Sequence, residues 1–490
     1  MHALLISTYE LGRQPFGLAS PTAWLRQAGW DVICVDLTKQ RLPDDVVETA
    51  SLIGFHLPMH TATRLAAPAI ARVRRLAPSA RICAYGLYAP LNAPWLRSIG
   101  VDEVLGGEFE EELASIATLI LRPPLDQGGG RQAQDERQDN RDLARCSAET
   151  PLVESQSNHE RPNVPRLHFL VPDRGGLLPL DRYATLHMPD GTRRIVGSTE
   201  ASRGCKHLCR HCPIVPVYEG QFRIVQPDVV LADVAAQVAA GAEHITFGDP
   251  DFFNGPAHAM RIVDGLHAAH PQLTYDVTIK VEHLLQHRDL LPRLRDTGCV
   301  FVTSAVESVD DRALAYLRKG HTRRDFVEAA ELSRSIGLTL VPTFVAFHPW
   351  LTLSGYCDLL DTIAELDLVD HVPSIQLAIR LLVPEGSKLL ELDEVKGLVA
   401  GFDPATLAYG WAHPDPRVDE LQREVAALVG VKVASDRRVL FEEISALAHD
   451  RAGVARAAAL SARSARGAVP YLSEPWYCCA EPNPDEMRVV

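Results

Sequence analysis

Short apolar runs alternate with amphipathic stretches along residues 1–121. Some of these runs have the length and composition of buried strands: Ala3–Ser7, Asp31–Asp36, Leu52–Phe55, Ile82–Tyr85 and Val101–Leu105. Stretches with helical periodicity lie between or after them: Pro21–Ala28, Ala66–Leu76 and Glu110–Leu121. Buried strands that alternate with helices form parallel sheets through crossover connections, so residues 1–121 are predicted to form a small doubly wound, Rossmann-like α/β domain.

Residues 122–165 have a different character. The segment contains Pro-Pro and Gly-Gly-Gly, many Arg, Gln, Asp and Asn residues, and almost no apolar periodicity. Such a composition cannot bury enough apolar surface to offset the entropy that ordering costs. We therefore predict a flexible linker at residues 122–165.

A second strand–helix array occupies residues 166–390. Its apolar runs are predicted strands: Val196–Glu200, His244–Gly248, Tyr275–Ile279, Val300–Ala305, Thr339–Ala346 and Ile375–Leu381. A full barrel of eight units needs roughly 250 residues, so this region predicts a partial (β/α)6 barrel. Residues 391–470 are predicted to be mainly helical, with strong patterns over Arg417–Val429 and Val439–Ala462, and residues 471–490 form a tail rich in Pro, Cys and Glu.

Length, charge and cysteine content narrow the class of protein. A chain of 490 residues is too long for one hydrophobic core. The net charge of −14 argues against a nucleic-acid partner, which requires clustered Lys and Arg. We see neither a signal-peptide pattern nor an apolar run of membrane-spanning length. Ten cysteines are too few for a disulfide scaffold of this size, and their clustering indicates metal or redox chemistry in a reducing, cytoplasmic compartment.

The clearest chemical motif lies just after the first predicted barrel strand. Cys205, Cys209 and Cys212 have the spacing C-x3-C-x2-C. A closed zinc site or a closed four-iron cluster takes four protein ligands, so three thiolates leave one coordination position for a small molecule. The alternative is a three-cysteine zinc site completed by His207 or His211.

This loop and the array behind it resemble the radical S-adenosylmethionine (SAM) superfamily over Val196–Leu390. The resemblance implies a TIM-like barrel with a [4Fe–4S] cluster on the three cysteines, whose open iron binds SAM. It also implies reductive cleavage of a carbon–sulfur bond of SAM to give a carbon radical. A small-molecule substrate and an electron donor such as flavodoxin or ferredoxin follow from the same resemblance.

Strand ends around the barrel supply the other candidate site residues. The resemblance implies that Asp249 or Asp251 contacts the SAM amino group, that Ser304 contacts the ribose, and that Glu307 faces SAM or substrate. Arg380 would hold a carboxylate bidentately. The alternatives are that the aspartates cap a helix, that Glu307 is merely solvated, and that Arg380 ties one strand to its neighbour.

The amino-terminal domain resembles the cobalamin-binding domain of one radical SAM subclass. The segment Gly106–Glu112 matches a strand-to-helix corner of that domain. The chain has no D-x-H-x-x-G motif, so no histidine is placed by that motif to bind cobalt. Cobalamin binding and a vestigial domain that serves as a lid both stay open.

The carboxyl-terminal sequence Glu474–Pro482 reads EPWYCCAEP and resembles a group of radical SAM proteins named for a CUAEP or CCAEP tail. The match extends to Gly248–Asp251 and Lys280–His283. In some members selenocysteine occupies the position of Cys479, which implies a soft nucleophile or ligand. Cys478 and Cys479 are therefore expected, with Glu307, to be catalytic residues; the alternative is a pair of unused surface thiols.

Three functions are consistent with these features. The first is a radical SAM enzyme whose Cys478–Cys479 pair binds a thiophilic element such as arsenic or acts as a redox pair. The second is a cobalamin-dependent radical SAM methyltransferase. The third, from a different class, is a non-catalytic metal or metalloid sensor whose cysteine loop holds zinc.

Overall fold

The structure is a computed structural model that describes residues 1–121, 167–432, 436–456 and 469–474. The predicted linker and the Cys478–Cys479 pair lie outside these described residues. Within the described ranges, no helix is both long enough and apolar enough to cross a lipid bilayer.

Residues 1–121 contain a five-stranded parallel sheet. Its strands are β1 (His2–Ser7), β2 (Asp31–Asp36), β3 (Ala50–His56), β4 (Arg81–Tyr85) and β5 (Glu103–Leu105). The helices are α1 (Phe16–Gln27), α2 (Asp44–Thr49), α3 (His60–Leu76), α4 (Ala93–Ser98) and α5 (Glu110–Leu121). The strand order is β2-β1-β3-β4-β5, so the winding direction reverses between β1 and β3. In sheets of this kind ligands bind at that reversal, outside the carboxyl ends of the strands.

The rest of the described chain supplies a second sheet, two hairpin-like ladders and further helices. The strands are β6 (Thr185–His187), β7 (Arg193–Thr199), β8 (Ser202–Gly204), β9 (Phe222–Ile224), β10 (His244–Phe247), β11 (Thr274–Thr278), β12 (Cys299–Glu307), β13 (Thr339–Phe344), β14 (Val399–Asp403), β15 (Ala408–Trp411) and β16 (Tyr471–Leu472). The helices are α6 (Val215–Tyr218), α7 (Pro227–Ala239), α8 (Pro256–Ala269), α9 (Val281–Gln286), α10 (Leu291–Asp296), α11 (Asp311–Leu317), α12 (Arg323–Ile336), α13 (Leu353–Glu365), α14 (Asp393–Lys396), α15 (Pro416–Val431) and α16 (Arg437–Ala452).

The second sheet is a curled half-barrel of order β13-β12-β11-β10-β7-β6-β16. Strands β7, β10, β11, β12 and β13 are parallel, whereas β6 and β16 add antiparallel strands at one edge. The α/β class and the partial barrel predicted from the apolar runs are confirmed.

The sixth predicted barrel strand, at residues 375–381, is shorter than expected. It joins the sheet only through a parallel bridge between Phe347 and Arg380. Residues Ser374–Leu377 form a 3-10 turn instead, and the Gln376 side chain accepts a hydrogen bond from the Phe344 backbone N–H at 3.0 Å. A side-chain amide thus takes the place of a strand carbonyl beside β13.

Local sequence explains where the barrel helices begin and end. Helix α12 starts with a capping box, in which the Thr322 side chain accepts from the Asp325 backbone N–H and Asp325 caps the Thr322 N–H in return. It ends at Gly337, which has a φ of +79°. Its buried face, including Phe326 and Ala329, packs in the core of the half-barrel.

In the described part of the carboxyl-terminal region, one helix ends earlier than its sequence pattern predicts and one pair of strands was not predicted. Helices α15 and α16 are present, but α16 ends at Gly453 (φ +65°) rather than continuing to residue 462. The antiparallel pair β14–β15 was not predicted, because β14 is largely exposed and has no clear apolar alternation.

Candidate functional site: a cysteine loop between two sheets

A single loop carries the three cysteines of the C-x3-C-x2-C motif. Cys205 and Cys209 are buried and Cys212 is half-buried, none of them takes part in a disulfide, and all three line one cavity. The Cys212 backbone N–H donates to the Cys209 carbonyl at 3.2 Å, which curls the loop back on itself. Immediately before the loop, Gly204 has a φ of +74°.

Neighbouring elements hold this loop by its backbone and flanks. Asn254 accepts a hydrogen bond from the Lys206 backbone N–H at 3.2 Å and donates to the Gly204 carbonyl at 3.3 Å. On the other flank, Arg210 donates from its backbone N–H to the Leu317 carbonyl at 3.0 Å, and its guanidinium donates to the Tyr316 carbonyl at 2.8 Å. The positions of the thiols are therefore set by rigid surroundings.

The donor set fits a cluster that keeps one coordination position open. The other described cysteines do not line the cavity: Cys34, Cys83, Cys299 and Cys357. Burial raises the pKa of the Cys205 thiol to about 11. A bound metal centre would displace that proton, because thiolates are the ligand form of cysteine.

The cavity has a volume of about 340 Å³ and lies between the two sheets. On the barrel side its walls come from the carboxyl ends of the parallel strands, as with Thr199, Thr278 and Thr303. On the other side they come from the segment that follows β1, which includes Glu10, and from the carboxyl end of β3, at His56. The active faces of both folds thus meet across one space.

Glu307, at the end of β12, combines strain, burial and charge. Its backbone φ is +70°, a left-handed conformation that costs a non-glycine residue of the order of 1–3 kcal/mol. Its carboxylate lies 3.1 Å from His211 Nε2 and 3.3 Å from Lys319 Nζ, and the residue lines the cavity. Burial alone would raise the pKa of Glu307, but Lys319 and His211 lower it to about 2. An ionised carboxylate is therefore held at the cavity wall.

Asp249 also lines the cavity, but both of its oxygens are occupied. It accepts a hydrogen bond from the Ala201 backbone N–H at 2.8 Å and from the Ser202 hydroxyl at 2.6 Å. Burial raises the pKa of Asp249 to about 7, with a further contribution from the neighbouring Glu200 carboxylate and opposition from these hydrogen bonds. The carboxyl group braces the segment that leads from β7 into the cysteine loop.

Asp251 is placed differently from Asp249. Its side chain is buried against His207 and His283 and does not belong to the described cavity lining. Burial would raise the pKa of Asp251, but the two adjacent imidazoles lower it to about 2. Asp251 therefore supports the outer side of the cysteine loop.

Ser304 lies on the other face of β12. Side chains alternate along a strand, and Phe301, Thr303 and Ala305 are the ones that line the cavity. The Ser304 hydroxyl is buried and has no hydrogen-bond partner among the described residues. Ser304 is thus not among the described residues that line the cavity.

Arg380 is engaged by the carboxyl-terminal region. Its guanidinium donates to Asp419 at 2.6 Å and lies 3.5 Å from the ring centroid of Trp411. Arg380 is not among the described residues that line the cavity. These contacts tie the short sixth barrel segment to β15 and α15.

An ion-pair network joins the cysteine loop to the amino-terminal domain. The sequence did not predict the residues that the amino-terminal domain contributes to it. Arg203 forms a two-pronged pair with Glu110, at 2.6 and 2.8 Å, and also contacts Glu200 at 2.6 Å. Ser20 donates to the same Glu110 carboxylate at 2.6 Å. The sequence marked Glu110 only as the start of a helix, because nothing local shows that it faces a residue 93 positions away.

Two further polar residues reach the cavity without having been chosen as site residues. Lys280 follows β11, lines the cavity and lies 3.4 Å from the Glu282 carboxylate. Lys319 completes the Glu307 ion pair from the end of α11. The sequence shows that Lys280 follows a strand and Lys319 follows a helix. It does not show where their side chains point.

The last described segment of the chain also reaches the cavity. Pro470, Tyr471 and Leu472 line it, and β16 pairs antiparallel with β6. The Glu474 side chain packs so close to Gly12 that a Cβ on that glycine would lie 2.3 Å from it. The chain therefore leaves the described region beside the cavity.

Comparison with known families matches residues 199–362 to the radical SAM superfamily. The expectation of a radical SAM domain is confirmed by this match, and the two curated relatives described next are named as a methylase and a synthase. Residues 199–362 include the cysteine loop, Asp249 and Glu307.

Two curated relatives match this chain over only part of their own length. The hopanoid C-3 methylase of Methylococcus capsulatus is 24% identical over 160 residues, which is 33% of this chain and 30% of the relative. The tRNA-2-methylthio-N(6)-dimethylallyladenosine synthase of a Parafrankia species is 29% identical over 182 residues, which is 33% of this chain and 34% of the relative. The chain thus spans about a third of the length of the curated relatives it matches.

Solved structures share the fold over a larger part of the chain. The cobalamin-dependent SAM radical enzyme OxsB, with aqua-cobalamin and SAM bound, has a TM-score of 0.63 at 14% identity and covers 87% of this chain and 66% of its own. The radical SAM methyltransferase TsrM of Kitasatospora setae has a TM-score of 0.53 at 19% identity and covers 75% of this chain and 71% of its own. At these identities the likeness concerns the fold alone.

Proposed function

Residues 199–362 form a radical SAM domain, and from that premise we propose that the protein is an enzyme that cleaves SAM reductively at a [4Fe–4S] cluster. The observation that supports this most is the geometry of the cysteine loop: three thiols of one loop line a cavity at the active face of a half-barrel. When bound, the cluster and SAM supply one-electron cleavage of a carbon–sulfur bond. A small-molecule substrate and a protein electron donor of the flavodoxin or ferredoxin class are part of this proposal.

The protein's own residues bind and orient the cluster and SAM, and they exclude water from the site. Cys205, Cys209 and Cys212 would hold the cluster, and the buried loop keeps solvent from it. Glu307 presents a carboxylate that suits the SAM amino group, and Lys280 presents an ammonium that suits a carboxylate. Asp249 keeps the segment before the loop in position.

Anaerobic reconstitution with iron and sulfide tests this proposal. We expect a brown protein with about four irons per chain that releases 5′-deoxyadenosine or methylthioadenosine from SAM under reducing conditions. Cys209→Ala should lose the cluster and the SAM cleavage together, whereas Cys357→Ala, a buried cysteine on α13 outside the cavity, should retain both. A colourless protein that carries zinc and never consumes SAM would favour the sensor function instead.

A cobalamin-dependent methyltransferase is the second candidate. It is favoured by the cavity, which extends from the cysteine loop to the reversal point between β1 and β3, where doubly wound domains bind ligands. Gly107, with a φ of +63°, follows β5 in the amino-terminal wall of the cavity and faces open space, so a bulky ligand could approach the backbone there. Cobalamin, if bound, would supply methyl transfer.

The visible spectrum of the protein after incubation with hydroxocobalamin separates the two candidates. If cobalamin binds at this wall, Gly107→Phe should block binding and leave SAM cleavage intact. Gly107→Asn is the matched control, because asparagine tolerates a left-handed backbone and is small. If the wild-type protein retains no corrinoid, the cobalamin-dependent methyltransferase is excluded and only the first candidate function remains.

The finer part of the proposal concerns Cys478 and Cys479, which lie outside the described residues. We infer that this pair binds a thiophilic element or acts as a redox pair at the cavity. The support is positional: Tyr471 and Leu472 line the cavity, and an extended chain from Glu474 to Cys478 spans at most about 14 Å.

A double variant tests the cysteine pair. Cys478→Ser/Cys479→Ser should leave cluster assembly intact and abolish product formation. We also expect arsenite to change the products of SAM turnover in the wild-type protein and not in the variant. Cys357→Ser is the control for loss of a cysteine elsewhere. Product formation that is unaltered in the double variant would remove the case for these residues.

A further inference from the structure

Two histidines and an aspartate converge behind the cysteine loop. His207 belongs to the loop, Asp251 follows β10, and His283 lies in α9. One ligand atom of each residue lies within 4.8 Å of those of the other two. None of the three belongs to the described lining of the cavity, so the group is separate from the proposed substrate space.

The hydrogen bonds of this group leave two buried polar atoms unsatisfied. His207 Nε2 and His283 Nε2 are hydrogen-bonded to each other, and the Phe253 backbone N–H donates to Asp251 Oδ1 at 3.2 Å. Only 2.6 Å separates His283 Nδ1 from Asp251 Oδ2, yet neither atom makes a well-directed hydrogen bond with any described residue. Both side chains are essentially inaccessible to solvent, at 1% and 0% exposure. Buried polar atoms without partners are rare in proteins, and an ion between them is one standard cause.

The remaining separations suit a shared metal ion. His207 Nε2 lies 3.5 Å from Asp251 Oδ2 and 3.3 Å from His283 Nε2. Ligands about 2.0–2.1 Å from a tetrahedral zinc ion are roughly 3.3 Å from one another. The His207 and Asp251 atoms are thus already near the required spacing, and a small rotation of the His283 ring would bring one of its nitrogens to the same point.

The surroundings of His207 support the same interpretation. Its other ring nitrogen, Nδ1, lies 3.7 Å from the Glu282 carboxylate. Histidines that bind metals usually donate their second N–H to a carboxylate, which fixes the ring and its tautomer. The His207 side chain is 15% exposed, so water has access to a fourth coordination position.

We propose that His207, Asp251 and His283 bind one Zn²⁺ ion, with water as the fourth ligand. The ion fastens the cysteine loop to the segments that follow β10 and β11. Two imidazoles and a carboxylate suit a borderline divalent cation, and the absence of sulfur from the ligand set separates this site from the cluster. The ion would hold the loop from its outer side and take no part in substrate binding.

Metal binding to the full chain without competing thiols tests the proposal. In the variant Cys205→Ser/Cys209→Ser/Cys212→Ser/Cys478→Ser/Cys479→Ser, Co²⁺ should bind with one equivalent per chain. Its visible absorption bands should have the high intensity that is typical of tetrahedral Co²⁺. The spectrum should lack the charge-transfer bands that sulfur ligands produce. Zn²⁺ should displace Co²⁺ and raise the thermal midpoint. Adding His207→Gln, which changes a partly exposed loop residue, should abolish both effects.

A matched histidine substitution controls for general effects. His449 is buried and lies 3.3 Å from Asp361 on a distant helix, so His449→Gln should leave Co²⁺ binding unchanged. Zinc analysis of the wild-type holoenzyme, which needs no thiol substitutions, should find one zinc per chain that is lost in His283→Gln. If the five-serine variant binds no Co²⁺, or binds it equally after His207→Gln, and the holoenzyme carries no zinc, the three residues form only a hydrogen-bonded brace.

Discussion

Gly204 is the residue on which the geometry of the cysteine loop depends most directly. A Cβ at this position would lie 2.5 Å from Tyr218 Cδ1 and 2.6 Å from the Gln221 carbonyl, in addition to the strain of a positive φ. Gly204→Ala should therefore destabilise the protein by about 2–4 kcal/mol and reduce iron content after reconstitution. Urea unfolding and iron analysis measure the two effects.

Gly241 provides the matched control for that substitution. Its φ is +99°, but a Cβ there would meet nothing within 4 Å. Gly241→Ala should cost only the backbone strain, about 1 kcal/mol, and leave the iron content unchanged. Equal iron loss in both variants would show that the loop does not depend on the Gly204 contact.

Glu307 yields a prediction about SAM binding. Glu307→Gln preserves the shape of the side chain but removes the charge beside His211 and Lys319. A charged hydrogen bond contributes about 1.5–3 kcal/mol, so SAM affinity should fall roughly 10- to 100-fold while cluster assembly persists. Equilibrium dialysis with labelled SAM measures this change. Glu385→Gln, which only replaces the charged acceptor of the Tyr409 hydroxyl by a neutral one, should bind SAM normally.

Residue identity was predictable from the sequence where spacing alone decides, and not where direction decides. The three cysteines share one loop, so their spacing was sufficient. Ser304 lies on the face of β12 opposite the cavity, and a one-residue uncertainty in strand register reverses that outcome. Asp251 meets His207 and His283 only through the fold, because these residues belong to different segments.

At the scale of elements, the Arg203–Glu110 pair connects the cysteine loop to α5. The Arg203 and Glu110 side chains are 8% and 0% exposed. Removing Arg203 leaves Glu110 as a buried carboxylate without its cation, and removing Glu110 leaves the buried Arg203 with Glu200 as its remaining carboxylate partner. Glu110→Ala should destabilise the protein by about 3–5 kcal/mol and lower the cluster content. The double variant Arg203→Met/Glu110→Leu should recover much of the stability, because it removes both charges.

An exposed ion pair serves as the comparison for this experiment. Arg293 and Asp264 are 2.7 Å apart, but their side chains are 56% and 45% exposed. Asp264→Ala should change the free energy of unfolding by less than about 1 kcal/mol. Urea unfolding of the two single variants under the same conditions measures the difference, and comparable losses would contradict the role given to the buried pair.

Elements with strong periodicity were predicted well, and elements shaped by tertiary contacts were not. The five amino-terminal strands and the five parallel barrel strands all correspond to apolar runs. The expected strand at residues 375–381 is reduced because the Gln376 amide replaces a ladder contact. The short strand β16 exists only because β6 is there to pair with it, which no local pattern reveals.

At the scale of the whole molecule, His60 links the amino-terminal domain to the turn between β14 and β15. Its Nε2–H donates to the Thr406 carbonyl at 2.7 Å, and Nδ1 has no partner among the described residues. Burial lowers the pKa of His60 to about 4, assisted by Arg64 and opposed by the Thr406 hydrogen bond. Protonation would place a second, unpaired N–H and a charge in this buried contact.

The sign of the resulting pH dependence follows from that lowered pKa. The unfolded chain takes up the proton near pH 6.5 and the folded chain only near pH 4, so this contribution to stability is lost as pH falls between the two. The loss amounts to about 3 kcal/mol at most. His60→Gln should reduce the fall in unfolding free energy between pH 7.5 and pH 5, measured in urea. An unchanged pH profile would contradict the proposed contact.

The meeting of the two active faces could be predicted only in part. Sheets of both kinds bind ligands at the carboxyl ends of their strands, and this rule is local to each fold. That the two faces enclose one cavity depends on contacts such as the pair between Arg203 and Glu110, which cross between the sheets. No periodicity in either half of the sequence specifies such a partner.

The edge strand β16 has a consequence for how the protein matures. Its partner β6 is synthesised almost 300 residues earlier, so the cavity wall that contains Tyr471 and Leu472 cannot form until those two residues have emerged from the ribosome. Contacts this distant along the chain form slowly. During synthesis the cysteine loop therefore stays open on that side, and metal delivered then would reach it without passing through a finished entrance.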